Sequence, residues 1–210
     1  MNYSCPHFEK FDRFIEELNS NKVKYVIIRG YWQLPVTPDT DLDVVFHPDS
    51  YDKMLSIIEK YWDRNLRDCP QPRTLELKGK MCQYIQWWTT APFDDRIHNK
   101  RFTMDTYNRF FFNQHILSDS FIEDIFSNGL EERSNYYVLK PLYEVLLLGY
   151  RNVFEINPDA FKEKHVNVIK SLISKNNIND VNAFNQAMSS FTNLDQNAAY
   201  VVEKIKQALS

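Results

Sequence analysis

Glycine is nearly absent from this chain, at 4 of 210 residues, where soluble proteins average about 7%. So little glycine leaves no material for a phosphate loop built on several glycines, and neither a G-x-x-x-x-G-K-[S/T] nor a G-x-G-x-x-G pattern occurs. Cysteine is also sparse. Cys5, Cys69 and Cys82 are odd in number and scattered, which suits neither a disulfide framework nor a zinc site and points to a reducing compartment. A surplus of one charge is missing as well. The net charge of −3 lacks the basic excess of a general nucleic-acid binder. No apolar run approaches the roughly 18 residues of a membrane span, and the strongest, Val145-Leu146-Leu147-Leu148, is one helical turn. Met1-Asn2-Tyr3-Ser4-Cys5-Pro6 shows no basic segment leading into an apolar one, so no signal peptide is expected. Together these absences predict a cytoplasmic protein without a membrane span.

What is present suits a packed core. Hydrophobic residues make up 43% and aromatic residues 15% of the chain, so rings should dominate the interior and any cleft. Phe8, Phe11, Phe14, Ile15 and Leu18 recur at helical spacing. Val23 to Ile28 is a β-branched run that reads as a strand, and Asp41 to Phe46 reads as a second. Pro48-Asp49-Ser50 caps a following helix with Leu55 and Ile58 on its apolar side. Leu75 to Lys78 and Met81 to Trp88 flank Gly79-Lys80, a hairpin turn. Trp87 and Trp88 are adjacent, so at most one of them faces a core beneath a single-faced sheet. Helical signals then take over: 119–126, 141–153, 158–174, 180–191 and 195–209, with Pro141 and Pro158 at first-turn positions. The expectation is an α+β fold, a mixed-sheet core over 1–135 with flanking helices and a helical region over 136–210.

The chemistry concentrates between the first two strands. Asp39, Asp41, Asp43, Asp49 and Asp52 fall within 35–52, a stretch with no lysine or arginine. Alternate residues of a strand share a face, so Asp41 and Asp43 would project together, with Leu42 and Val44 opposite. Two adjacent carboxylates repel unless a cation sits between them. Asp is also depleted in strands, so its placement beside Val44-Val45-Phe46 needs a reason. A hard divalent ion supplies one, because Mg²⁺ takes one or two carboxylates and fills its other positions with water and phosphate. The plainer alternative leaves Asp39 and Asp41 as loop and cap residues and Asp43 in a salt bridge or at a solvated edge. Arg29, at the end of the first strand, suits either case: it could hold a donor phosphate with its fork or neutralise the acids.

The run Val26-Ile27-Ile28-Arg29-Gly30-Tyr31, followed by Asp41-Leu42-Asp43 on the next strand, resembles the DNA-polymerase-β-like nucleotidyltransferase superfamily. The wording Arg-Gly-Tyr…Leu-Pro…Asp-x-Asp is similar to a branch associated with surface-polysaccharide synthesis. The resemblance implies that Asp41 and Asp43 are catalytic and bind Mg²⁺ or Mn²⁺. It implies that the chain at Gly30 and Tyr31 approaches a nucleotide-activated donor, and that the acceptor is a glycan or polymer. Arg29, Asp39, Arg96 and Arg101 are further donor-site candidates read from the residues themselves, the last two from a locally basic stretch. Glycine at position 30 suits a close backbone approach to phosphate. Two positions depart from the family pattern: Tyr31 stands where a small residue is usual, and the third carboxylate has no evident match. Gln83 and Gln86 occupy the natural strand, leaving Glu76, Asp94 and Asp95 as candidates and His98 as a possible base.

The leading expectation is a metal-dependent transferase, nucleotidyl or sugar. An Asp-x-Asp glycosyltransferase with a nucleotide-sugar donor is one alternative; a non-catalytic nucleotide-binding or interaction module of the same fold is the other. His47 and His115 lack metal-ligand spacing and read as ordinary structural histidines. Glu144 lies in an apolar helix and would need a partner such as Lys140 or Arg151.

Overall fold

The computed structural model of the chain describes residues 6–31, 42–64, 73–88, 103–178 and 181–210. Helix α1 (Pro6–Ser20) leads into β1 (Tyr25–Arg29), and β2 (Leu42–Phe46) returns antiparallel beside it. A short 3-10 turn at Pro48–Ser50 starts α2 (Tyr51–Ile58), with His47 Nδ1 accepting the Asp49 backbone N–H at 3.2 Å. β3 (Asp63–Arg64), β4 (Arg73–Leu77), β5 (Lys80–Trp88) and β6 (Thr103–Tyr107) follow. The short pair β7 (Phe111–Phe112) and β8 (His115–Ile116) precedes α3 (Asp119–Asn128), and β9 (Leu130–Arg133) and β10 (Tyr136–Leu139) form a late hairpin. The C-terminal helices are α4 (Pro141–Arg151), continued by a π turn over Asn152–Ile156, then α5 (Glu163–Lys175), α6 (Val181–Ser189) and α7 (Ala198–Leu209).

The chain is α+β, and its main sheet is mixed. The strand order is β3-β5-β6-β2-β1-β10-β9, with β4 also on β5. β2 and β6 run parallel, as do β1 and β10, while β1–β2 and β5–β6 are antiparallel. The chain forms two compact units, 1–109 with 131–138, and 110–130 with 139–210. A single cut at 135 therefore does not describe it. Residues 131–138 return to the sheet because β10 pairs with β1, and 110–130 group with the helices.

In the first unit one face of the sheet is the core. Ile27, Leu42, Val44, Ile85, Trp87, Met104 and Val138 project from it and pack with Phe11, Phe14, Ile15 and Leu18 of α1 and Met54, Ile57 and Ile58 of α2. Trp62 meets Phe14 edge-on at 4.6 Å. Trp87 is fully buried in this core, its indole N–H donating to Thr106 Oγ1 at 2.9 Å. Full burial of each such side chain contributes about 1.5–3 kcal/mol. The β4–β5 turn is Lys78–Gly79, one residue earlier than expected, with φ of 51° and 74°. Positive φ at both central residues is what a two-residue type I′ hairpin loop requires.

The second unit packs around Tyr150. Its ring lies among Phe112, His115, Phe121 and Phe154, and its hydroxyl donates to Asp195 Oδ1 at 2.9 Å. Asp195 is buried and also accepts the backbone N–H of Ser118 (3.1 Å) and of Asn197 (2.9 Å). Helices α4 and α7 approach closely at Gly149, where an added Cβ would sit 2.5 Å from Ile205 Cδ1. Glu144 is buried as expected, but the two suggested cations are engaged elsewhere. Arg151 pairs with Glu155 at 3.2 Å and Lys140 Nζ donates to the Asn128 carbonyl at 2.6 Å.

Candidate functional site

A bulge in β1 creates the first element of the site. Pairing with β2 runs Tyr25–Phe46, Val26–Val45, Ile27–Val44 and then jumps to Arg29–Asp43, so Ile28 is the extra residue. Without that insertion Arg29 would fall opposite Leu42 on the apolar face. One extra residue turns it onto the other face, the usual effect of a bulge on the side chain that follows. Arg29 Nε consequently lies 2.6 Å from Asp43 Oδ2. The Asp43 side chain is 5% exposed and that of Arg29 34%, so the carboxylate is inside and the guanidinium reaches outward. The contact is Coulombic: Arg29 Nε makes no aligned hydrogen bond.

The second element comes from β6. Its parallel register with β2 is Leu42–Met104, Asp43–Asp105, Val44–Thr106 and Val45–Tyr107. Asp43 and Asp105 are therefore direct neighbours on one face, on strands about 4.8 Å apart. Asp105 is buried as well. Gln86 of β5 is opposite Asp105, and its Nε2 donates to Asp105 Oδ1 at 3.0 Å. A polar row, Arg29–Asp43–Asp105–Gln86, thus crosses four strands on the face opposite the core. The next row on that face includes Tyr107 and Tyr84, ring centroids 5.1 Å apart, and Arg73 lies over the Tyr84 ring at 5.8 Å. Burial, reinforced by the Asp43 and Asp105 charges, pushes the Tyr107 hydroxyl far above its ordinary range and keeps it protonated.

Gly30 closes the end of β1 with φ of 83°, a left-handed conformation that favours glycine. Tyr31 turns inward: it is 3% exposed, belongs to the core cluster, and carries the Arg133 guanidinium over its ring at 5.2 Å. Glu76 does not join the acidic pair. It stands opposite Met81 on exposed β4, on the other face of the sheet, and β4 pairs with β5 rather than with β6. Asp39, Asp41, Asp94, Asp95, Arg96, His98 and Arg101 lie outside the described residues.

Asp105 was not among the expected site residues. It shares one of the signals that marked Asp43, an aspartate inside a strand-forming stretch, here Thr103-Met104-Asp105-Thr106-Tyr107, but not the alternating acidic neighbours. Among the described residues no three His, Cys, Asp or Glu gather as a complete metal-binding group. The donor set there is two buried carboxylates, which fits a hard cation that takes its other ligands from water and phosphate. No family model, curated protein or solved structure matches this chain.

Proposed function

We propose that this chain has a nucleotidyltransferase-like core and is a divalent-metal-dependent transferase acting on a nucleotide-activated donor, in glycan or surface-polymer synthesis. The observation that carries the reading is the register of Asp43 with Asp105 on adjacent parallel strands, beside a glycine-ended β1. Asp43 and Asp105, with Asp41 from the segment just before β2, would hold Mg²⁺ or Mn²⁺. When bound, the cation would neutralise phosphate charge and align the attacking group, which is most of the catalysis in such transfers. Gln86 keeps one Asp105 oxygen oriented. Gly30 leaves its end of β1 without a side chain, so phosphate can come close to the backbone. The arrangement serves displacement at phosphorus, with pyrophosphate leaving, or at a sugar carbon, with a nucleoside diphosphate leaving.

One observation favours the non-catalytic reading. Arg29 already neutralises Asp43, as a structural ion pair would. A thermal-shift panel of nucleoside triphosphates and nucleotide sugars, with and without Mn²⁺, separates the cases, because a ligand of the native state raises Tm by mass action. Triphosphate hits that require Mn²⁺ support nucleotidyl transfer, and nucleotide-sugar hits that require it support sugar transfer. Hits indifferent to Mn²⁺ and to Asp43→Asn support a binding module. No hits at all would contradict the reading.

A further inference from the structure

Arg29 stands in an unusual position for a structural ion-pair partner. The residue opposite Asp43 is set by a bulge, and the cation of the pair is its outer, partly solvated half. The contact runs through Nε without an aligned hydrogen bond, so the side-on fork that locks arginine onto a carboxylate is not formed. Asp105 is held differently, by the neutral amide of Gln86. Among themselves, the four side chains of the row carry two negative charges and one positive. Removing the arginine from the carboxylate would double that net charge. A phosphate group arriving beside Gly30 offers Arg29 the bidentate partner its fork prefers.

Resting on the cation reading above, we propose that Arg29 couples the two ligands: it guards Asp43 in the absence of a cation and transfers to phosphate when a cation binds. A divalent cation and a phosphate-bearing ligand then bind with positive cooperativity, and the cation alone binds weakly. The coupling is reciprocal, since each ligand removes a cost that the other would otherwise meet.

The test is an EPR titration of Mn²⁺ into the full chain, with and without inorganic phosphate, corrected by the same titration without protein. The wild type should bind Mn²⁺ about tenfold more tightly with phosphate present, within the usual range of such couplings. Arg29→Gln should bind Mn²⁺ alone about tenfold more tightly than wild type and show no gain from phosphate. Arg29→Lys, which keeps the charge, should stay close to wild type for Mn²⁺ alone. A structural role for Arg29 gives the opposite sign, with Mn²⁺ binding weakened in Arg29→Gln. Wild-type Mn²⁺ binding that ignores phosphate overturns the coupling whether or not the variants fold, and a loss of that binding in folded Asp105→Asn then leaves the cation site standing. Mn²⁺ binding unchanged in Asp105→Asn overturns the cation site and the coupling together.

Discussion

Replacing Arg29 by leucine should destabilise the metal-free protein, and the structure sets the size of the effect. The guanidinium and the Asp43 carboxylate touch at 2.6 Å, which places their charge centres about 4 Å apart, the separation used for the Coulomb estimate. At an effective dielectric constant near 20, that attraction is about 4 kcal/mol. Asp43 and Asp105 on neighbouring strands repel by about 3 kcal/mol at roughly 5 Å by the same rule, and this repulsion loses its nearest counter-charge. Breaking a buried pair from one side typically costs about 3–5 kcal/mol. Arg29 is about a third exposed, so water screens part of the loss and about 2 kcal/mol is the expected net change. With a urea m-value of about 2 kcal/mol/M, the midpoint should fall by ~1 M. Saturating Mn²⁺ should recover most of that fall, because the cation supplies the missing positive charge between the carboxylates. A metal-free midpoint within about 0.2 M of wild type would refute the electrostatic argument on the same m-value scale. So would a fall that Mn²⁺ leaves untouched.

Gly149→Ala should destabilise the helical unit by about 1–2 kcal/mol despite alanine's better helix propensity, because the new methyl meets Ile205 and Val201 between α4 and α7. A raised Tm would show that the two helices can separate at no cost. Asp195→Ala should cost about 3 kcal/mol or more, since it strands the Tyr150 hydroxyl and two backbone N–H groups that the carboxylate now accepts. Denaturant unfolding checks it, and a loss below about 1 kcal/mol would mean that water replaces the carboxylate without penalty. Glu17 pairs with Lys60 and accepts from the Tyr61 hydroxyl at 2.7 Å. Its hydrogen bond from Lys60, then that from Tyr61, holds its carboxyl below the ordinary 4.5. A group depressed on folding contributes stability that is complete above its unfolded value and lost as pH falls through its folded one. Glu17→Gln should therefore lower Tm at neutral pH, and the gap should close in acid; a gap independent of pH would rule out this linkage.

The two strands and the glycine between them were legible because each carries a local signature. A β-branched run ends at Gly30, and aspartate sits at the start of the next apolar run. Strand alternation limits the adjacent tryptophans to at most one core residue, and the structure buries Trp87. The bulge was not legible, because Val26-Ile27-Ile28-Arg29 alternates in no way that marks an extra residue, and the jump exists only in the pairing with β2. Asp105 was hidden for a related reason. Its role depends on β6 lying in parallel register with β2, a long-range contact that no nearby residue announces. The hairpin of β9 and β10 escaped similarly, since its place in the sheet is set by β10 against β1. Helix α5 begins at Glu163 rather than Pro158 because asparagine side chains capture the intervening backbone. Asn157 Oδ1 accepts the Asp159 N–H at 2.9 Å and Asn152 Oδ1 that of Lys162 at 3.2 Å, a competition such side chains often win at helix starts.

The proposed activity depends on Asp105 acting with Asp43 as a cation ligand, and one comparison addresses it directly: Mn²⁺ binding to wild type, Asp43→Asn and Asp105→Asn, each checked for native circular dichroism. Both substitutions keep the shape of the side chain and remove its charge, and the carboxamide oxygen introduced by Asp105→Asn can still accept the Gln86 amide. Paired ligation predicts that each variant loses Mn²⁺ affinity by at least about tenfold, the scale of one charge-assisted ligand. Wild-type Mn²⁺ affinity in either folded variant would contradict it.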